Sequence, residues 1–244
     1  FLVLDEGDRL VMDELLEESG ELVSLCPGRR QSVSCSATMS AKSRERLLPL
    51  LGEGAGFVES TGETVLTEHI IHWAFFAEGR KKHGMLRSFL AAERPKKALV
   101  FIDRGSQIGR LAADLQYHKT AAAALYGGME KKARKQAIDD FRSGRVSVLV
   151  TSDLSARGLD IPDITHIIAL DVPSGADAYI HRSGRTARAG RRGTMVSIGD
   201  ELEMKRLASL EKKLGITVYP KVLYQGRVCA PEAVYQRYEP PRDQ

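Results

Sequence analysis

Six short apolar runs, each a few residues long, constrain this chain more than any other feature. They cover residues 1–4, 98–102, 121–125, 146–150, 166–170 and 195–198. The runs are nearly continuous in apolar or small residues rather than alternating, the pattern of strands covered on both sheet faces. Between them lie stretches of helical spacing. Ile108, Leu111, Ala112 and Leu115 mark one face of residues 107–115, and Ala133, Ala137, Ile138 and Phe141 one face of 130–141. Leu202, Leu207, Leu210 and Leu214 do the same over 201–214. Strand and helix alternating at this repeat length predict right-handed βαβ units, hence an α/β fold with a parallel sheet and helices on both faces.

Residues 52–68 carry four glycines and no sustained periodicity, so a domain boundary is expected there. A second α/β domain is expected over 69–215, preceded by a linker at 61–68, and 216–244 reads as a short strand followed by a flexible tail. Residues 1–60 offer a strand, a helical stretch, a second strand near 32–34 and another helix, a poor core by themselves. They are expected to be the back part of a larger domain, an expectation the initial Phe1 supports. With 43 % apolar and 28 % charged residues, overall disorder, collagen and coiled coil are excluded. No apolar stretch approaches the roughly 18 to 20 residues that span a bilayer, so no membrane partner is expected. Cys26, Cys35 and Cys229 form no C-x-x-C pair, which argues against a disulfide framework or zinc site and points to a reducing, cytoplasmic location. Charge is divided: residues 1–60 carry a net −5 and 61–244 a net +9, so the second part could face a polyanion.

Four segments could carry chemistry. FLVLDEGD puts adjacent carboxylates directly after a strand, where Asp5 could hold Mg²⁺ and Glu6 could activate a water; taken alone, the motif is more often a solvated strand end whose acids cap the next helix. SCSATMS sets Ser36 and Thr38 on a strand-to-helix turn, able to cap a helix or to join two loops. In VLVTSDLSARGLDIP a strand ends in Thr151-Ser152-Asp153, followed by Arg157, Gly158 and Asp160; the turn could hold a phosphate, or be an ordinary capped βα turn. YIHRSGRTARAGRRG carries His181, Arg182, Arg185, Arg188, Arg191 and Arg192. Arg185 and Arg188, three apart, could converge on one anion, whereas a basic surface loop is the alternative.

Taken in order, these segments resemble the DEAD-box family of ATP-dependent RNA helicases. Asp5–Asp8 is similar to the eponymous motif, Ser36-Ala37-Thr38 to the SAT motif, Thr151–Asp160 to T-D-x-x-A-R-G-x-D and His181–Arg188 to H-R-x-G-R-x-x-R. Phe101-Ile102-Asp103 resembles the strand motif that opens the second domain's RNA surface, and residues 125–144 the segment LHG…Q-x-x-R…F-x-x-G. Gly7 stands for Ala, a change expected to be tolerated because the site asks only for a small residue. Ser152 stands for Thr, Tyr126 for His, Lys131 for Gln and Ala187 for Gly. The 244 residues contain no Gly-Lys pair, hence no G-x-x-x-x-G-K-[ST] phosphate loop.

The resemblance implies a complete second RecA-like domain preceded by part of a first, with ATP and Mg²⁺ as cofactors and RNA as partner. It implies that Asp5 holds Mg²⁺ through water, Glu6 activates the hydrolytic water, and Arg185 and Arg188 act on the γ-phosphate. Asp160 would contact the ribose, with Arg157 supporting the interdomain cleft. Asp8, Ser36, Thr38 and His181 would couple the two domains; Gly127, Arg134 and Ser152 would meet the RNA backbone. The expected protein is a monomer, open to ribonucleoprotein partners, that separates RNA duplexes; the chain without a phosphate loop is expected to be inactive alone. A non-catalytic RecA-like adaptor and a DNA-directed helicase are the alternatives.

Overall fold

The protein was analysed as a computed structural model, which describes residues 1–28, 31–52, 54–58, 65–156 and 158–235. The chain divides into two compact units, Phe1–Gly62 and Glu63–Gln244.

In the first unit β1 (Leu2–Asp5) and β2 (Ser32–Cys35) pair in parallel, Leu2 opposite Ser32 and Asp5 opposite Cys35. Helices α1 (Gly7–Leu10), α2 (Leu16–Ser24) and α3 (Ala41–Leu51) complete it. Ser40 caps α3 by accepting the Ser43 amide at 3.0 Å. The expectation that residues 1–4 are covered on both faces is not met. Burial alternates along both strands, and Val3 is 64 % exposed. The apolar residues of α3, led by buried Leu47, serve the other face.

The second unit opens with a π-helical turn (Val65–His69), within the segment expected as linker, whose Leu66 is buried in the core. It continues β3 (Ile70–Phe76), α4 (Lys81–Glu93), β4 (Ala98–Phe101), α5 (Gly105–Tyr117), β5 (Ala122–Leu125), α6 (Lys131–Ser143), β6 (Val148–Thr151), α7 (Asp153–Ala156), β7 (His166–Ala169) and α8 (Ala176–Ser183). A 3₁₀ turn (Arg188–Gly190), β8 (Gly193–Gly199), α9 (Glu201–Leu214) and β9 (Val218–Pro220) follow. Seven strands form one all-parallel sheet in the order β5-β6-β4-β7-β8-β3-β9.

The sheet separates two cores, as a doubly covered parallel sheet requires. In β4, Ala98 and Val100 join Leu86 and Phe89 of α4 and Ile108, Leu111 and Leu115 of α5. Leu99 and Phe101 face Phe141 of α6, Tyr179 of α8 and Leu207 and Leu210 of α9. The expected helical faces hold for α5, but Leu202 is exposed at the start of α9 and Ala133 at the start of α6, where the helices have not yet reached the sheet. In place of a tail after β9, β10 (Val222–Tyr224) and β11 (Arg227–Cys229) form an antiparallel hairpin, followed by α10 (Pro231–Tyr235). Leu223 and Val228 of the hairpin pack on the core beside α4. Among the described residues no helix is long and apolar enough to cross a membrane.

Candidate functional site

In the first unit the acidic turn is built from the end of β1. Glu6 adopts a left-handed conformation (φ 52°, ψ 45°), uncommon for a side chain of this size, and its amide donates to Asp5 Oδ1 at 2.9 Å. That turn sends α1 back under the strand ends and puts Asp8 within reach of the turn after β2. Ser36 Oγ donates to Asp8 Oδ1 at 2.5 Å and Thr38 Oγ1 to Asp8 Oδ2 at 2.7 Å. Within the first unit the turn after β1 and the turn after β2 are therefore joined through one carboxylate. Asp5 is exposed and keeps an oxygen free of the Glu6 amide. The described residues contain no cluster of three or more metal-ligating side chains. A lone carboxylate suits Mg²⁺ that retains its waters and takes its other ligands from substrate phosphates.

Gly7 adds a condition to an expectation. A Cβ on Gly7 would lie 2.0 Å from Ser34 Oγ and 3.6 Å from Leu47 Cδ1. Ser34 Oγ in turn donates to Leu4 O at 3.1 Å. A small side chain fits here only if the Ser34 hydroxyl turns away and gives up its bond to Leu4 O.

In the second unit the carboxyl ends of β4, β5, β6 and β7 form a rim, the usual ligand edge of an open α/β sheet. Arg182, on α8 and 2 % exposed, ties that rim together. Its Nε and Nη2 donate to Asp153 at 2.8 and 2.7 Å, Nη2 also to Asp103 at 2.7 Å, and Nη1 to the Asp171 carbonyl at 2.6 Å. Burial works against the charge, but the carboxylates of Asp153 and Asp103 outweigh it and raise the guanidinium above its ordinary pKa. A second pair lies nearby: Lys82 of α4 meets Glu203 at 2.5 Å and the Leu170 carbonyl at 2.8 Å. Neither clamp was among the sequence-predicted sites. Their signal is a strand ending in Asp (IDR, TSD, LDV) at several places, because buried rims need cations to hold such carboxylates.

Gly127, Ser152 and Tyr126 line one cavity of about 780 Å³ above Arg182. Ser152 Oγ also accepts the Ser155 amide at 3.4 Å, so it caps α7 as well as facing the cavity. Arg134 donates to the Ser155 carbonyl at 3.2 Å, reaching α7 from α6.

Arg185 and Arg188 line a different cavity, of about 470 Å³, together with Arg191 and Asp163. Arg188 Nη1 pairs with Asp160 Oδ1 at 3.1 Å, Arg185 Nη1 approaches the Leu159 carbonyl at 3.5 Å, and Arg191 pairs with Asp163. The arginine pair thus shares a groove, and the residue expected to meet a ribose is the carboxylate that Arg188 holds. His181 is half-buried on α8. Arg157 lies outside the described residues.

A parallel sheet with a basic arginine groove on one side and a backbone-lined cavity on its carboxyl rim defines a RecA-like domain of helicase type. Residues 81–190 match the family of helicase conserved C-terminal domains. The chain is 32 % identical over 226 residues to the DEAD-box ATP-dependent RNA helicase CshC of Bacillus cereus, covering 92 % of this chain and 57 % of that protein. It is similar to Escherichia coli SrmB, in a structure bound to regulator of ribonuclease activity A, with 32 % identity and a TM-score of 0.61. That match covers 67 % of this chain and 98 % of the SrmB chain. Saccharomyces cerevisiae Dbp5, bound to RNA and ADP BeF3, matches with a TM-score of 0.80 and 26 % identity over 89 % of this chain and 59 % of that one. The chain belongs to the DEAD-box family of ATP-dependent RNA helicases. It spans a little over half the length of the curated relatives it matches first.

Proposed function

We propose that this chain serves a DEAD-box motor that uses ATP binding and hydrolysis to separate short RNA duplexes or remodel ribonucleoproteins. The observation that carries the reading is the arginine groove: Arg185 and Arg188 share one cavity although they belong to the turn after α8 and not to one helix face. Guanidiniums placed so can both address one terminal phosphate, where developing charge in the transition state is greatest. In this reading Arg188 exchanges its contact with Asp160 for the phosphate, leaving Asp160 to accept a ribose hydroxyl. Arg157 is assigned to nucleotide binding by the family resemblance alone.

Glu6, set in a left-handed turn at the end of β1, accepts a proton from the attacking water. Asp5 would hold Mg²⁺ through water, and the ion would supply neutralisation of phosphate charge there. Asp8, fixed by Ser36 and Thr38, and His181 are the residues through which each unit would respond to bound nucleotide. On the other edge, Gly127, Ser152 and Arg134 take successive RNA phosphates without reading bases. Tighter RNA binding in the ATP-bound state than in the free state does the mechanical work. The reading includes a cytoplasmic monomer, open to protein partners in ribonucleoproteins.

Strand displacement tests it, on a protein in which this chain follows the phosphate-loop half of a curated relative. ATP-dependent release of a short RNA strand, with an all-DNA duplex left intact, is the expected outcome. Equal action on DNA, or repeated rounds of RNA release by Glu6→Gln at the wild-type rate, overturns the reading.

A further inference from the structure

A third cavity, of about 870 Å³, opens on the same rim beside the first turns of α4 and α5, lined by Arg80, Lys82, His83, Arg104, Gln107 and Arg110. Two features set it apart from a solvated basic face. Arg80 and Arg104 occupy the N-cap positions of α4 and α5, each 13 residues long, and neither helix has a side-chain cap. N-caps favour Ser, Thr, Asp or Asn, and the positive end of the helix dipole repels a guanidinium, so both helix starts carry the wrong charge for stability alone.

The second feature is the absence of partners. Among the described residues Arg80, Arg104 and Arg110 make no ion pair and no side-chain hydrogen bond. The acids on the cavity wall are committed elsewhere. Asp171 accepts the Asp103 amide at 2.8 Å and lies 3.9 Å from Lys82, and Asp200 caps α9 through the Glu203 amide at 3.0 Å. Lys82 is held by Glu203. Three unmatched guanidiniums remain around one concavity. Frustration of this kind, where a local rule is broken without a compensating contact, marks binding sites.

We propose that this cavity is a phosphate subsite that carries the RNA backbone onward from the cavity of Gly127 and Ser152. The inference rests on the RNA reading above. Position supports it: the two cavities lie on either side of the β4–α5 connection, Asp103 and Gly105 facing one and Arg104 the other. A strand leaving the first would pass Arg104 into the cavity that Arg80 and Arg110 also line. Phosphates there would relieve both helix starts at once. The contacts carry no sequence information and add length to the bound segment.

The test is RNA binding by the full chain across a salt series, using a long and a short single-stranded oligouridylate, for wild type and for Arg80→Ala/Arg104→Ala/Arg110→Ala. All three side chains are exposed, so the variant is expected to melt as wild type does. Three lost phosphate contacts should flatten the slope of log affinity against log salt by about 2 for the long RNA. The short RNA, accommodated by the first cavity, should bind with an unchanged slope. Arg104→Glu alone should weaken long RNA more than Arg104→Ala. Wild type that binds no RNA at low salt overturns the RNA reading itself. Wild type that binds RNA with the same slope as the triple variant overturns the subsite alone, including where inorganic phosphate still binds it. Loss of polyglutamate binding with RNA binding intact overturns it in favour of an acidic protein surface.

Discussion

Gly7 and Ser34 hold each other in place, and the consequence is measurable. Gly7→Ala forces Ser34 Oγ away from Leu4 O, and we expect a loss of about 1–2 kcal/mol in urea unfolding of the first unit. Ser34→Ala should restore most of it in the double variant, a coupling that additive losses would contradict. Arg182 is the larger case. Arg182→Ala removes a buried guanidinium from Asp103, Asp153 and the Asp171 carbonyl. The two carboxylates are about half exposed and can rehydrate, so the expected cost in thermal or urea unfolding is about 2–4 kcal/mol. A variant that melts with wild type would show the clamp to be incidental. His166 gives a pH signature: burial lowers its pKa from 6.5 to about 4. The unfolded chain then binds the proton first, so stability is complete above about pH 6.5 and falls as pH drops toward 4. His166→Phe, which keeps the edge contact with Phe89, should flatten that part of the stability profile.

At the scale of elements, what could be read from the sequence followed burial. β4 and β6 are buried at every position, so their apolar runs stand out, and α5 shows its full stripe because one face lies on the sheet along its length. The hairpin of β10 and β11 went unread for a physical reason. Its strands have three residues each, and its turn uses Gln225 and Gly226 with φ of 48° and 72°, a two-residue turn usually announced by Asn-Gly or Asp-Gly. Gln supplies the geometry without the signal. The site divides similarly. Motif residues were legible because their order is specific, whereas the Arg182 and Lys82 clamps join residues 79 and 121 positions apart and appear only when the rim is assembled. The hairpin's role has its own test. Leu223→Ala/Val228→Ala should lower the stability of the second unit by about 1–3 kcal/mol, read by urea unfolding, if the hairpin is part of that core. No change would make it an ornament on α4.

For the whole molecule, the charge division and the two faces of the second unit belong together. The basic part of the chain, net +9 over residues 61–244, places its unpaired arginines on the carboxyl rim and its arginine pair in a separate groove. One surface suits an extended polyanion and the other a compact one. The 244 residues have no phosphate loop, so the chain by itself should show no RNA-stimulated ATP turnover above background. The most direct measurement uses the fusion to a relative's phosphate-loop half and compares RNA-stimulated ATP hydrolysis by wild type, Arg185→Ala and Arg188→Ala. If both guanidiniums stabilise the transferring phosphoryl group, each variant should lose on the order of 10³ or more in kcat while RNA affinity at fixed salt is kept. Turnover within a few-fold of wild type in either variant would contradict the account.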